Sequence, residues 1–214
     1  MTINFLGDSI TAGAGAQKVE NMFSYLLCQK LGAKENNYGV GGTRIARQRV
    51  PSQDPGEDED YQKRAPLMDK NADLVIVFGG TNDYGHGDAP LGKFGDKDPY
   101  TFYGAMENLL EELLEVYPKK KILFVQPLLR YDEDNLFGER KTAPAYPLSA
   151  YRKAIAEVCK KHQVRLADFT HDFPCSASPK GDRYHIDGLH PNVPGHALLA
   201  EVFDHYIEEN HLLS

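Results

Sequence analysis

The sequence predicts an α/β protein with a parallel sheet covered by helices on both sides, and two patterns indicate this fold class. Short apolar runs alternate with longer segments in which apolar residues recur every three or four positions, as in βαβ units. Two of these runs, Leu74 to Phe78 and Ile122 to Val125, are continuously apolar, which is typical of strands buried on both faces. The 214 residues are enough for one such domain, and we expect a single domain over residues 1–214.

Five strands are expected, of which the second and fifth have the weakest pattern. In chain order they are Ile3 to Leu6, Asn36 to Tyr38, Leu74 to Phe78, Ile122 to Gln126, and Arg165 to Ala167. Between the first two strands, apolar residues from Met22 to Leu31 predict a helix that Gly32 ends. A second helix is expected to begin with Asp98 as N-cap and Pro99 in its first turn, and to end at Tyr117 before Pro118.

Two further helices are predicted, over Ser149 to His162 and from about Pro194 towards the C-terminus. The apolar faces of all four helices are expected to pack in the core. Residues 51–64 are rich in Asp, Glu and Pro, and residues 85–99 are rich in Gly, Asp and Pro; both are expected to form surface loops. Such loops either only connect elements or contact a substrate, and the sequence leaves both roles open.

Composition excludes several classes of function. The chain has 24 Lys and Arg against 31 Asp and Glu, and the basic residues are scattered, so nucleic-acid binding is not expected. No apolar run reaches the length of a membrane span, and the first residues do not form a secretory signal. The three cysteines lack the spacing of a disulfide framework or zinc site. We expect a cytoplasmic protein, with a processed secreted form as the alternative.

Four short motifs contain the candidate site residues. They are GDSITAG from Gly7, NYGVGGT from Asn37, GGTND from Gly79, and HIDGLHPN from His185. The first three follow predicted strands, and the carboxyl ends of parallel strands are where ligands bind in open α/β sheets. The fourth precedes the last predicted helix. We therefore expect the motifs to meet at one edge of the sheet.

Together, the motifs contain the groups that acyl transfer through a serine requires. Ser9, between a Gly7-Asp8 turn and an expected helix, offers a hydroxyl nucleophile and its own N–H. His190 is a candidate base that Asp187 can orient, and the Gly42 N–H and the Asn82 amide are candidate donors to an oxyanion. Each residue alone has another interpretation: Ser9 as a helix cap, Gly42 and Asn82 as turn residues, and His190 as a surface histidine.

The ordered set of motifs resembles the SGNH hydrolases, also called GDSL-type esterases and lipases. The matching segments are GDSI at Gly7 to Ile10, NYGVGG at Asn37 to Gly42, GGTND at Gly79 to Asp83, and DGLHP at Asp187 to Pro191. The resemblance implies a three-layer α/β/α sandwich with a five-stranded parallel sheet, a flavodoxin-like arrangement. It further implies that Ser9 is the nucleophile of a triad with Asp187 and His190.

By the same resemblance, Ser9, Gly42 and Asn82 form the oxyanion hole. Gly42 is chosen because it stands five residues after Asn37, as the family's glycine does, while Gly39 and Gly41 remain alternatives. No metal ion or cofactor is expected. Asp8 and Asp83 are expected to bind loop backbone.

The expected activity is that of a carboxylic ester hydrolase acting on a small-molecule ester through an acyl-enzyme intermediate. The two polar loops favour short acyl groups, above all acetyl, on a carbohydrate or a similar polar alcohol. A lysophospholipase or thioesterase activity is the alternative, and transfer of the acyl group to another alcohol and the oligomeric state stay open. The net charge of −7 disfavours a strongly anionic substrate unless certain arginines line the site, namely Arg44, Arg47, Arg49 or Arg130.

Two other classes of function would use residues of the same motifs. Metal-dependent phosphoester hydrolysis would use carboxylates and imidazoles near the same sheet edge, namely Asp8, Asp83, Asp187, His185 and His190. A phosphate or nucleotide binder would use the glycines after Gly7 at a helix N-terminus. This second class is disfavoured because the segment lacks the Walker lysine and the GxGxxG spacing.

Overall fold

The computed structural model of the protein describes residues 1–141 and 144–213. Within them, one parallel sheet has the strand order β2-β1-β3-β4-β5. The strands are β1 (Thr2–Gly7), β2 (Lys34–Gly39), β3 (Leu74–Phe78), β4 (Ile122–Val125) and β5 (Arg165–Ala167). The predicted α/β fold class is thus confirmed. β3 and β5 have the predicted bounds, whereas those of β1, β2 and β4 differ by one or two residues.

The helices are α1 (Phe23–Leu31), α2 (Tyr61–Arg64), α3 (Thr81–Gly85), α4 (Phe102–Val116), α5 (Leu148–His162) and α6 (Val193–Glu209). α1 ends at Gly32, as predicted, because Gly32 has the left-handed φ of 60° that such an end requires. In residues 1–141 and 144–213, no helix has both the length and the apolar character needed to cross a membrane.

The predicted start of α4 at Asp98 is wrong. Thr101 is the N-cap, and its hydroxyl accepts a hydrogen bond from the Gly104 N–H at 3.1 Å. The Asp98 side chain instead accepts from the N–H of Tyr100, and its carbonyl accepts from the N–H of Thr101. Asp98 therefore forms a turn that leads into the helix rather than its cap.

The segment 51–64 is not a plain surface loop. It contains a 3₁₀ turn over Pro55–Asp58 and the helix α2, which Asp60 caps by accepting from the Lys63 N–H at 3.0 Å. Tyr61 and Arg64 of this helix are buried. Of the predicted loop 85–99, Gly85 belongs to α3, and residues 86–99 contain neither helix nor strand.

The sheet separates two apolar layers, and β3 contributes to both. Leu74, Ile76 and Phe78 pack with α1 and α6 on one face, while Val75 and Val77 pack with α4 and α5 on the other. Full burial of one such side chain stabilises the fold by roughly 1.5–3 kcal/mol. The α/β/α layering holds the sheet rigidly from both sides, so the loops at its edge have a fixed base.

The strand register brings three chain segments to one place. Gly7 at the end of β1 is level with Gly39 of β2 and with Phe78 of β3. β1 lies between β2 and β3, where the chain reverses its direction of progress across the sheet. Crevices at such a point are the usual ligand sites of open α/β sheets.

Candidate active site

Ser9 lies in a series of turns after β1. The helix expected directly after Ser9 is absent from this turn segment. The N–H of Ala14 donates to the carbonyl of Ser9 at 2.9 Å, so the chain curls tightly there. Gly13 and Gly15 then adopt left-handed φ values of 88° and 87°, which interrupt any helix. The next α-helix begins only at Phe23.

The structure brings Ser9, His190 and Asp187 into one hydrogen-bonded chain. Ser9 Oγ lies 2.9 Å from His190 Nε2, although the two residues are 181 positions apart. His190 Nδ1 lies 2.9 Å from Asp187 Oδ2 on its other side. With the proton on Nδ1, the ring donates to Asp187 and Nε2 accepts from the hydroxyl. Such an arrangement can transfer the serine proton to the imidazole.

The Asp187 carboxylate is held in place by backbone as well as by the imidazole. Its Oδ1 accepts from the N–H groups of Leu189 at 2.8 Å and His190 at 2.7 Å. Partial burial raises the pKa of Asp187, but the hydrogen bonds from His190 and Leu189 outweigh this and lower it overall. Asp187 is therefore ionised at neutral pH and fixed in the orientation that contacts the ring.

His196 fastens the turn that contains Ser9 to the start of α6. Its Nε2 donates to the Ala14 carbonyl at 2.9 Å, and its Nδ1 accepts from the N–H of Phe23 at 3.3 Å. Burial lowers the pKa of His196, so the ring stays neutral with one donor and one acceptor. Gly15 also lies so close to Pro191 that a Cβ would be 2.0 Å from its carbonyl oxygen. These contacts place the His190 loop against Ser9.

Each of the three candidate oxyanion donors has a hydrogen without an acceptor in the described residues. Within the described residues, the backbone N–H groups of Ser9 and Gly42 have no acceptor. Asn82 donates one amide hydrogen to the carbonyl of Thr43 at 3.0 Å, which leaves its second hydrogen for another acceptor. Gly42 has a left-handed φ of 73°, and a Cβ there would collide with the Glu57 side chain. A side chain at this position would therefore be strained.

The two alternative glycines differ in their contacts. The N–H of Gly39 donates to Asn37 Oδ1 at 2.8 Å and is therefore occupied. Gly41 lies beside the nucleophile turn, because a Cβ on Gly41 would be 3.9 Å from Ser9 Cβ. The carbonyl of Gly42 accepts from both Arg44 at 3.0 Å and His86 at 3.1 Å, so its peptide is rigidly held.

Asp8 and Asp83 are buried and bind backbone. Asp83 accepts from the N–H groups of Ile45 and Ala46, each at 2.9 Å, and so anchors the chain that follows Gly42. Asp8 accepts from the N–H of Ile10 at 3.0 Å. Burial raises the pKa of each carboxyl to about 6. Both residues thus shape loops next to Ser9.

No three of the five residues named from the sequence for a metal site have ligand atoms close enough to hold one ion. Asp8 and Asp83 bind backbone as described, and His185 pairs with Asp182 at 2.9 Å. Where the structure describes the chain, the one group of three side chains close enough to hold an ion is Glu107, Glu111 and His162. Glu107 already accepts from Lys161 at 2.8 Å and lies 2.6 Å from His162, so its charge is compensated.

A recess of about 400 Å³ opens beside His190. One wall is the loop around Asp187, and the other comes from the segment after β4. The lining residues are Arg130, Tyr131, Asp132, Glu139, Pro179, Asp187, Gly188, Leu189 and His190. Sequence reasoning did not single out Tyr131 or Glu139. Their position after the carboxyl end of β4 was the available signal, because this is where ligand-contacting loops begin in parallel sheets.

The recess has an ionised, hydrogen-bonding wall. Buried Arg130 donates to Asp132 at 2.7 Å and to Thr81 at 3.1 Å, and it also pairs with Glu139. The nearby His86 ring and Arg130 lower the pKa of Glu139 to about 2. The His86 Nδ1 atom lies 3.6 Å from the Glu139 carboxylate, which is an electrostatic contact rather than a normal hydrogen bond. Glu139 is therefore a carboxylate at neutral pH.

Of the four arginines named from the sequence, only Arg130 lines this recess. Arg44 is buried and pairs with Glu57 at 3.1 Å and Asp58 at 2.9 Å. Arg47 pairs with Asp60, and Arg49 is exposed. Because Arg130 is itself paired with two carboxylates, it leaves no excess positive charge in the recess.

A second depression of about 520 Å³ lies beyond the loop that holds Gly42. Its apolar lining includes Val50, Ala89, Pro90, Leu91 and Tyr146, with His86 and Arg140 among its polar residues. His86 also contacts the carbonyl of Gly42, so this apolar trough adjoins the candidate oxyanion donors. Glu57 packs on Gly42 and pairs with Arg140 at 3.3 Å, which places charges between Gly42 and the trough.

Comparison with known proteins shows that the fold is shared with solved structures. A protein from Lactobacillus plantarum has a similar structure with 30% identity, a TM-score of 0.80, and coverage of 97% of this chain and 96% of its own. A lipase/acylhydrolase from Enterococcus faecalis (22%, TM-score 0.66, coverage 98% and 96%) and a carbohydrate acetylesterase family member from Sinorhizobium meliloti (17%, 0.67, 99% and 98%) share the fold. No curated protein matches the sequence significantly.

The sequence itself matches a family model, and the match spans most of the chain. The model of the GDSL-like lipase/acylhydrolase family covers residues 5–198, which include all four motifs. The chain belongs to the GDSL-like lipase/acylhydrolase family.

Proposed function

We propose that the protein is a serine esterase that hydrolyses carboxylic esters through an acyl-enzyme. The observation that carries the proposal is the contact of Ser9 Oγ with His190 Nε2, together with that of His190 Nδ1 with Asp187. Ser9 Oγ bonds to the acyl carbon while His190 takes its proton, and the alcohol leaves with that proton. Water then attacks the acyl-enzyme, again through His190, and releases the acid and free Ser9.

In this proposal the Ser9 and Gly42 N–H groups and the Asn82 amide stabilise the negative charge that develops on the acyl oxygen. The support is that both N–H groups lack an acceptor in the described part of the chain and that Asn82 has one amide hydrogen to spare. Prearranged donors of this kind act where water is excluded and need no reorganisation during the reaction.

The alcohol part of the ester is assigned to the recess beside His190. The leaving oxygen must receive its proton from His190, so the alcohol has to lie on the imidazole side of Ser9. Glu139 and Asp132 offer acceptors for hydroxyl groups there, and Tyr131, with 52% of its surface exposed, offers an aromatic face. This lining favours a neutral, hydroxyl-rich alcohol such as a sugar and disfavours an anionic one.

The charges around Gly42 favour a substrate with a short acyl group, acetyl in particular. The Glu57–Arg140 pair stands between the oxyanion donors and the apolar trough, so a long chain would have to pass charged groups. The trough itself favours a second candidate, an acylhydrolase for longer chains of the lysophospholipase or thioesterase type. The two candidates differ in the acyl length they accept.

One set of measurements tests both levels of the proposal. We expect a fluorophosphonate probe to label the wild-type protein and the Ser149→Ala variant, whose serine is exposed on α5, but not Ser9→Ala. Labelling of Ser9→Ala would overturn the assignment of the nucleophile. We further expect a higher kcat/KM on p-nitrophenyl acetate than on the octanoate, whereas the reverse order would favour the second candidate.

A further inference from the structure

Arg64 is a buried residue that contacts three separate segments around Ser9. Only 6% of its surface is exposed. From α2 its guanidinium donates to the carbonyl of Gly7 at 2.8 Å, to the carbonyl of Tyr38, and to the hydroxyl of Thr43 at 2.8 Å. Its Nε donates to the carbonyl of Glu59 at 2.9 Å. One side chain thus ties the end of β1, the end of β2 and the loop that carries Gly42.

The contact with Thr43 reaches the candidate oxyanion donors directly. The Thr43 hydroxyl has one proton, which it donates to the Val40 carbonyl at 2.8 Å, so its lone pair is available to Arg64. The carbonyl of Thr43 accepts from the Asn82 amide at 3.0 Å. Thr43 also directly follows Gly42 in the chain. Arg64 therefore fixes the residue on which both Gly42 and Asn82 depend.

The contact with Gly7 reaches the nucleophile. The Gly7 carbonyl lies two residues before Ser9, at the point where β1 ends and the turn begins. One helical turn before Arg64, Tyr61 donates from its hydroxyl to the carbonyl of Phe78 at the end of β3. The Arg64 guanidinium also lies 4.8 Å from the centre of the Tyr61 ring. The two side chains of α2 together hold the carboxyl ends of three strands.

We propose that Arg64 is a positioning residue for the esterase reaction, holding the Ser9 turn and the Gly42–Thr43 loop at the spacing that acyl transfer needs. The inference rests on the proposed function, because it assigns Arg64 a task in that reaction. A planar guanidinium can bind several acceptors at fixed angles, which a single ammonium cannot do. Misplacement of reacting groups by about 1 Å can cost about 100-fold in rate.

The test uses steady-state hydrolysis of p-nitrophenyl acetate by the full-length chain. We expect Arg64→Lys to lower kcat by about 10- to 100-fold with KM within about twofold, because the groups that stabilise the transition state are displaced. Thr43→Val removes the acceptor at nearly constant volume and should lower kcat in the same way, while Thr43→Ser keeps the hydroxyl and should remain within about threefold of wild type. Lys63→Ala, an exposed neighbour on α2, is the matched control.

The double variant Arg64→Lys/Thr43→Val decides whether the two residues act together. We expect it to be no slower than the slower single variant, since the same contact is lost in each. Multiplied losses, or an unchanged kcat in Thr43→Val, would overturn the proposal. If Arg64→Lys does not fold, Thr43→Val and Thr43→Ser still decide it. Failure of the esterase assignment itself would be seen separately, because Ser9→Ala would then keep the activity of the wild type.

Discussion

Asn82 donates a hydrogen bond from its side-chain amide to the backbone carbonyl of Thr43 at 3.0 Å. This contact sets the rotamer of Asn82 and points its remaining amide hydrogen away from Thr43. The residue comes from the first turn of α3, directly after β3, while Thr43 belongs to the loop after β2. Asn82 thus joins two of the loops that surround Ser9.

Replacement of Asn82 by Ala is expected to lower kcat by about 10²–10³, the usual cost of losing one oxyanion donor, with a small change in KM. The circular dichroism spectrum should stay that of the wild type. Asn71→Ala, at an exposed asparagine outside the site, is the control and should keep full activity. An unchanged kcat in Asn82→Ala would reduce Asn82 to a turn residue.

The Asp187 carboxylate provides a second test, on the tautomer of His190. In Asp187→Asn the amide can donate to Nδ1, which puts the ring proton on Nε2. A protonated Nε2 can no longer accept the proton of Ser9. We expect kcat to fall by at least about 100-fold. The pH-rate profile and the labelling rate with a fluorophosphonate would measure this loss.

The chain contains a matched control for this variant. Asp182 and His185 have the same spacing of three residues and the same 2.9 Å contact, but His185 is buried against Phe173 instead of meeting a serine. Asp182→Asn is therefore expected to lower the melting temperature while kcat stays within about threefold. Equal losses of kcat in both variants would mean that the loop's folding, not proton transfer, explains the effect.

The sequence predicted the parts of the fold where local pattern and burial agree. β3 is apolar at every position because both its faces are covered, and its predicted bounds, Leu74–Phe78, are confirmed. The sequence pattern of β2 is weak because an edge strand with half-exposed positions carries polar residues, here KENNYG. The helix predicted after Ser9 failed because Gly13 and Gly15 take left-handed φ values that no helix tolerates.

The motif residues of the site could be found from the sequence, but the residues that support them could not. Ser9, Asp187 and His190 lie in short patterns at the ends of elements, and the structure places them in contact. Arg64 lies at the end of an acidic, loop-like segment, where a charged residue suggests solvent exposure. Its partners are carbonyl and hydroxyl oxygens from other parts of the chain. Every residue has a backbone carbonyl, so the residue types in the sequence do not reveal such partners. Glu139 depends likewise on long-range contacts.

Glu139 provides a third prediction, on the choice of alcohol. Because its carboxylate is ionised in the recess, it repels an anionic leaving alcohol and accepts from hydroxyl groups. In Glu139→Gln we expect kcat/KM for an acetyl ester with a carboxylate-bearing alcohol to rise about three- to tenfold relative to a neutral ester. Asp134→Asn, on the same segment but outside the recess lining, should leave this ratio unchanged. A constant ratio in Glu139→Gln would place the alcohol elsewhere.

Asp8 provides a prediction on stability and pH. Burial raises its pKa from 3.8 to about 6, although the Ile10 N–H, His190 and Arg64 act in the opposite direction. The folded state therefore binds the Asp8 proton more tightly than the unfolded state does. The resulting stabilisation is complete below about pH 4 and is lost as the pH rises through about 6.

Asp8→Asn keeps the acceptor for the Ile10 N–H but cannot ionise. Its free energy of unfolding therefore does not fall for this reason as the pH rises. Between pH 4 and pH 8, the free energy of unfolding of Asp8→Asn should rise relative to wild type by on the order of 2–3 kcal/mol, since each pKa unit corresponds to about 1.4 kcal/mol. Urea unfolding at several pH values measures the difference, and Glu208→Gln, at an exposed position of α6, should show none. A pH-independent difference between Asp8→Asn and wild type would show that the Asp8 carboxyl is not held protonated by burial. The sign of the change in this difference with pH is decisive. A carboxylate whose ionised form is stabilised by its neighbours would give the opposite trend, in which Asp8→Asn becomes less stable relative to wild type as the pH rises.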